Sequence, residues 1–98
     1  MTDTKPVRIL IVDDEPLAIE RLQVLCAREP LIDLVGTASD GKAALRMTEA
    51  LEPEALLLDI SMPELDGMGV ARALGSAKHR PAVVFVTAFD SFAVEAFN

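Results

Sequence analysis

Two apolar runs in this chain each end abruptly in aspartate. Ile9-Leu10-Ile11-Val12 runs into Asp13-Asp14, and Ala55-Leu56-Leu57-Leu58 runs into Asp59. Each run has the length of one short strand and the unbroken hydrophobicity of a strand covered on both faces. An acid at the end of such a strand costs desolvation energy unless something offsets its charge. If the two strands lie parallel in one sheet, three carboxylates meet at one edge. Open α/β sheets bind their ligands at that edge, beyond the carboxyl ends of the strands.

The rest of the chain supplies the connections such a sheet needs. Val7 to Val12 reads as a buried strand, and Asp14-Glu15-Pro16 as a helix start with acids and proline in the first turn. That helix runs to about Arg28, with Ala18, Leu22 and Leu25 along one face, and Glu29-Pro30 ends it. Leu31 to Ala38 reads as a second strand. Ser39-Asp40-Gly41 is a turn that also caps a second helix, Lys42 to Leu51, which Glu52-Pro53 closes. Ala55 to Asp59 is the third strand, and Met68 to Leu74 a short helix ended by Gly75. Pro81 leads into a fourth buried strand, Val83 to Thr87. Asp90 to Phe97 is a fourth helix, with Phe89, Phe92 and Phe97 as packing residues. The order βαβαβαβα with short, right-handed connections predicts an α/β fold, a doubly wound parallel sheet.

Composition narrows the class. The 98 residues allow one small domain, and 51% apolar content suits a sheet covered on both sides. A net charge of −7 argues against this domain wrapping nucleic acid. No apolar run approaches the roughly 20 residues of a membrane span, and Met1-Thr2-Asp3-Thr4-Lys5-Pro6 lacks signal-peptide character. Residues 1–6 read as a disordered lead-in and 7–98 as the domain. Cys26 is alone, so no disulfide framework is expected. It reads as a buried inert thiol, and the default compartment is the cytoplasm. His79, in the polar run Lys78-His79-Arg80, is expected to be solvated and without a role.

Three carboxylates a few ångströms apart raise one another's pKa unless a cation intervenes. Mg2+ resolves the repulsion while leaving coordination positions for a phosphate-type ligand. A carboxylate beside that cation can then act as nucleophile toward phosphorus, forming an aspartyl phosphate. Thr87, at the end of the fourth strand, either hydrogen-bonds a phosphoryl oxygen or caps the next helix. Pro63 and Gly67 either serve as plain turn residues or shape the loop that aims the Ser61 carbonyl at the cation.

Val12-Asp13-Asp14-Glu15-Pro16, the loop Leu58-Asp59-Ile60-Ser61-Met62-Pro63-Glu64-Leu65-Asp66-Gly67, and Val86-Thr87-Ala88 together resemble the receiver domain of two-component response regulators. The stretches Asp14-Glu15-Pro16-Leu17-Ala18 and Thr87 to Phe97 resemble the LytTR (LytR/AlgR-type) subfamily. The resemblance implies a flavodoxin-like (CheY-like) sheet of order 2-1-3-4-5. It implies Asp59 as phosphoacceptor, Asp13, Asp14 and Asp59 with the Ser61 carbonyl as Mg2+ ligands, and Thr87 as switch hydroxyl. It also implies a sensor histidine kinase as phosphoryl donor and a DNA-binding output domain that regulates transcription. The role is that of a signalling domain, not a turnover enzyme.

Family members carry a fifth strand ending in lysine, then a fifth helix. Lys5, Lys42 and Lys78 stand elsewhere. The chain is therefore expected to be a C-terminally truncated receiver that self-associates through its strand-four edge or by domain swapping. Two other readings stand beside this one. A pseudo-receiver would be an interaction module that is never phosphorylated. A Mg2+-dependent phosphotransferase or phosphatase would want a second acid two residues after the nucleophile, where Ser61 stands.

Overall fold

Parallel pairing of the apolar runs organises the architecture. The computed structural model describes residues 5–59, 67–75 and 79–86. Four strands, β1 (Val7–Val12), β2 (Ile32–Ala38), β3 (Ala55–Asp59) and β4 (Ala82–Val86), alternate with α1 (Pro16–Ala27), α2 (Gly41–Leu51) and α3 (Gly67–Gly75). The strands form one parallel sheet in the order β2-β1-β3-β4, the order anticipated for the first four strands. The expected fourth helix lies outside the described residues. No described helix is long and apolar enough to cross a membrane.

Alternation within the strands builds the two sides of the sheet. Leu10, Val12, Leu56 and Leu58 join Ala38, Ala44, Val70 and Leu74 in one buried cluster beneath α2 and α3, with Val83 packed against it. Ile9 and Ile11 alternate with them, so they face the other side, where α1 packs and buries Cys26. At the edge of the described sheet, Val84 and Phe85 are 50% and 41% exposed.

Local chemistry sets the turns. The Asp40 carboxylate accepts a hydrogen bond from the Ala43 N–H at 2.7 Å, capping α2 as its position suggested. Glu52, at φ 49°, ends α2 in the left-handed conformation. The β1–β2 register shifts between Ile9 and Leu10, so that Leu10 pairs with Gly36. A Cβ at Gly36 would sit 2.7 Å from Met47 Cε and 3.3 Å from Leu51 Cδ1. Glycine there allows α2 to pack closely on β2.

Three sequence expectations need correction. The fourth strand, read as buried, leaves Ala82, Val84 and Phe85 exposed because it stands at the edge of the described sheet. Leu25 was assigned with Ala18 and Leu22 to one face of α1, yet it is 58% exposed, as are Leu17 at 63% and Val24 at 48%. Ala18, Ile19 and Leu22 are half-buried and Cys26 is buried, so the covered stripe runs along these residues. α1 carries apolar residues around most of its circumference, and the pattern alone could not say which stripe faces the sheet. His79 is half-buried, not solvated, and its Nε2 hydrogen-bonds the Pro53 carbonyl. The β3–β4 pairing explains this. The Ala82 N–H donates to the Glu54 carbonyl at 3.0 Å, which brings the residues before β4 against those before β3.

Arg8 ties three elements together at the start of β1. Its guanidinium donates to the Leu51 carbonyl at 2.8 Å and to the Glu52 carbonyl at 3.0 Å, at the C-terminal end of α2. Its backbone N–H donates to the Glu54 carboxylate at 3.2 Å. A cation at a helix C-terminus satisfies carbonyls that lack helical partners and complements the helix dipole. Replacing Arg8 with alanine is expected to lower unfolding free energy by about 1–2 kcal/mol with an unchanged m-value in urea. Wild-type stability in the variant would show that the clamp contributes nothing.

Candidate functional site

The sheet register brings the aspartates together. β1 pairs with β3 so that Val12 lies opposite Leu58, and Asp13 and Asp59 follow one residue later on neighbouring strands. Carboxylate oxygens of Asp13, Asp14 and Asp59 all lie within 4.8 Å of one another. Asp13 is buried, Asp59 half-buried and Asp14 exposed, so the cluster has a covered side and an open one.

Asp13 is held on both sides. Its N–H donates to the Ala38 carbonyl at 3.0 Å, extending the β1–β2 ladder by one rung. Its Oδ1 accepts from the Glu15 N–H at 2.9 Å, an aspartate turn that leads the chain into α1 at Pro16. Burial pushes the Asp13 carboxyl above the ordinary carboxylate range, and the charges of Asp14 and Glu15 push the same way. The bond from Glu15 offsets part of this.

The donor set is all carboxylate oxygen. That chemistry fits a hard divalent cation of the Mg2+ or Ca2+ class and not a thiolate- or imidazole-seeking metal. Without a cation, ionised Asp13 carries both a desolvation cost and the repulsion of its neighbours. Ser61 and Thr87, the other two expected site residues, lie outside the described residues. The register does pair Asp59 with Val86, the residue before Thr87. Among the remaining polar groups, sequence reasoning missed the Arg8 clamp and the His79–Pro53 bond. Neither carries a local signal, because each joins segments far apart in the chain.

A carboxylate whose pKa is raised on folding stabilises the fold below its unfolded pKa, and that contribution is lost as pH rises through the folded value. At neutral pH the Asp13 charge therefore opposes folding of the metal-free protein. Asp13→Asn keeps an oxygen for the Glu15 N–H and removes the charge. In chelator-treated protein at pH 7 it is expected to raise Tm. That advantage should shrink as pH falls through the raised Asp13 pKa, where the wild type neutralises itself. A lower Tm for the variant at pH 7 would contradict the assignment.

Comparison with known proteins adds independent evidence. Residues 9–98 match the response regulator receiver domain family. The positive alginate biosynthesis regulatory protein of Pseudomonas aeruginosa is 50% identical over 91 residues, covering 92% of this chain and 37% of that protein. The transcriptional regulatory protein BtsR of Escherichia coli (strain K12) is 42% identical over 92 residues, covering 94% of this chain and 38% of that protein. The chain thus spans under two fifths of the length of these curated relatives. Among solved structures, the signal receiver domain of NarL from Mycobacterium tuberculosis superposes with a TM-score of 0.82 at 36% identity, covering 92% of this chain and 73% of that one. The strand order, the acidic cluster at the strand ends and these similarities agree: the chain belongs to the response regulator receiver domain family.

Proposed function

We propose that this chain is the phosphoacceptor switch of a two-component system, with Asp59 as the residue phosphorylated. The observation that carries this reading is the meeting of Asp13, Asp14 and Asp59 within 4.8 Å at the ligand-binding edge of the sheet. Asp59 is half-buried on β3, beside the buried Asp13 and the exposed Asp14. A carboxylate so placed can receive a phosphoryl group from the open side.

The step is a transfer at phosphorus. An Asp59 carboxylate oxygen forms the new O–P bond as the P–N bond of a phosphohistidine breaks, and the electron pair leaves with the imidazole nitrogen. Asp13, Asp14 and Asp59, with the Ser61 carbonyl, are the residues that would hold Mg2+. When bound, that ion neutralises charge on the transferring group. Asp13, fixed by the Ala38 and Glu15 hydrogen bonds, keeps the buried side of the site in place. The Thr87 hydroxyl, one residue beyond the Asp59–Val86 pair, is the group assigned to hydrogen-bond the phosphoryl oxygens.

The donor is a sensor histidine kinase, or a small acyl phosphate in its place. The output is a DNA-binding domain of the LytTR type beyond this chain, and the setting is cytoplasmic. Support for a transcriptional output comes from the regulators that match over this region. The domain is modified once per signalling event and does not turn over a substrate as an enzyme does.

Incubation with acetyl phosphate and Mg2+, followed by intact-mass analysis, tests the reading. One phosphoryl adduct is expected, lost in Asp59→Asn and suppressed by at least about tenfold when Mg2+ is chelated. An adduct that persists in Asp59→Asn would overturn the assignment of the acceptor. Absence of any adduct would favour an interaction module without phosphorylation.

A further inference from the structure

The outer face of α1 carries more apolar surface than a helix facing only water needs. α1 packs over β2 and β1, with Ala18, Ile19 and Leu22 half-buried and Cys26 buried. Leu17, Val24 and Leu25 stay exposed on its other side. With Glu20 and Arg21 they line one surface groove. Leu17, Glu20, Arg21 and Val24 stand at i, i+3, i+4 and i+7, so they share one face of the helix. A grouped apolar patch rimmed by charge marks an interaction surface more often than scattered exposed residues do. Among the described residues, no ion pair or side-chain hydrogen bond engages Glu20 or Arg21.

The order of residues along this face is self-complementary. Its midpoint lies between Glu20 and Arg21. A twofold axis through that midpoint, perpendicular to the helix, sets two copies antiparallel. Leu17 then lies opposite the partner's Val24, and Glu20 opposite the partner's Arg21, each pair occurring twice. The same axis carries the exposed Arg28 toward the exposed Asp14 and Glu15 of the other copy. An isologous interface requires this property, because one patch must serve both copies. A parallel pairing would set Glu20 against Glu20 and Arg21 against Arg21, so charge selects the antiparallel arrangement.

We propose that the outer face of α1 is a weak homodimer interface, filled by α1 of a second copy of this chain in antiparallel orientation. The helix has 12 residues, a length of about 18 Å. One pair of such helices buries less than the roughly 1,200 Å² of a stable interface. The dimer is therefore transient, with a dissociation constant on the order of 0.1–1 mM. This interface lies on α1, away from the strand-four edge, and does not depend on the phosphoacceptor reading.

Sedimentation equilibrium of the chain up to about 1 mM tests the proposal. The average mass is expected to rise with concentration from that of the monomer toward that of the dimer. Glu20→Arg sets like charges against the partner's Arg21 on both sides of the axis and should weaken pairing at least about fivefold. Adding Arg21→Glu exchanges the two charges and should recover the wild-type constant within about twofold. Val24→Asn removes apolar contact from both copies and should weaken pairing at least about fivefold. Leu17→Asn serves the same purpose if Val24→Asn does not fold. The proposal is overturned if the wild type stays monomeric throughout, which would reserve this face for a different protein. It is also overturned if these substitutions leave dimerisation unchanged, which would place the interface elsewhere, or if the charge exchange does not rescue Glu20→Arg.

Discussion

Everything at the functional edge depends on the parallel register of β1 and β3. Pairing Val12 with Leu58 places Asp13 beside Asp59, and the chain turn at Asp13 adds Asp14. The hydrophobic strands have no freedom to slip. A shift by one residue would turn Leu10, Val12, Leu56 and Leu58 out of the cluster they share under α2 and α3. Burial of those side chains therefore enforces a concentration of negative charge that the charges alone would resist. The stability of the core holds the acidic site in its strained electrostatic state.

This division of labour extends across the sheet. At the carboxyl edge, polar groups are gathered and left open on one side for a ligand. At the amino edge, polar groups close the structure. Arg8 satisfies the last carbonyls of α2, Glu54 accepts from the β1 backbone, and His79 bonds to the Pro53 carbonyl. Thr48, on α2 near that end, is the exception, its Oγ1 buried with no hydrogen-bond partner among the described residues.

Much of the fold was legible in the sequence because its signals are local and strong. Continuous apolar runs marked β1 and β3 to the residue, and Asp40 marked the start of α2. The three aspartates were legible because acids at the ends of buried strands have few reasons to be there. Legibility failed where the deciding interaction is long-range. α1 is apolar on several sides, so which stripe is buried depended on the sheet beneath it. The polar neighbours of His79 suggested solvent, but strand pairing carries it against Pro53 instead. The close approach at Gly36 depends on Met47 and Leu51 arriving from α2, which no reading of β2 alone would reveal.

The central claim is that the three carboxylates form a cation site whose repulsion opposes folding until it is neutralised. Thermal unfolding of the unmodified chain across a Mg2+ titration at constant ionic strength tests it most directly. A saturable rise in Tm is expected, since a ligand that binds only the folded state stabilises it by mass action. A Tm that does not respond to Mg2+, or that responds equally to any salt, would contradict the claim.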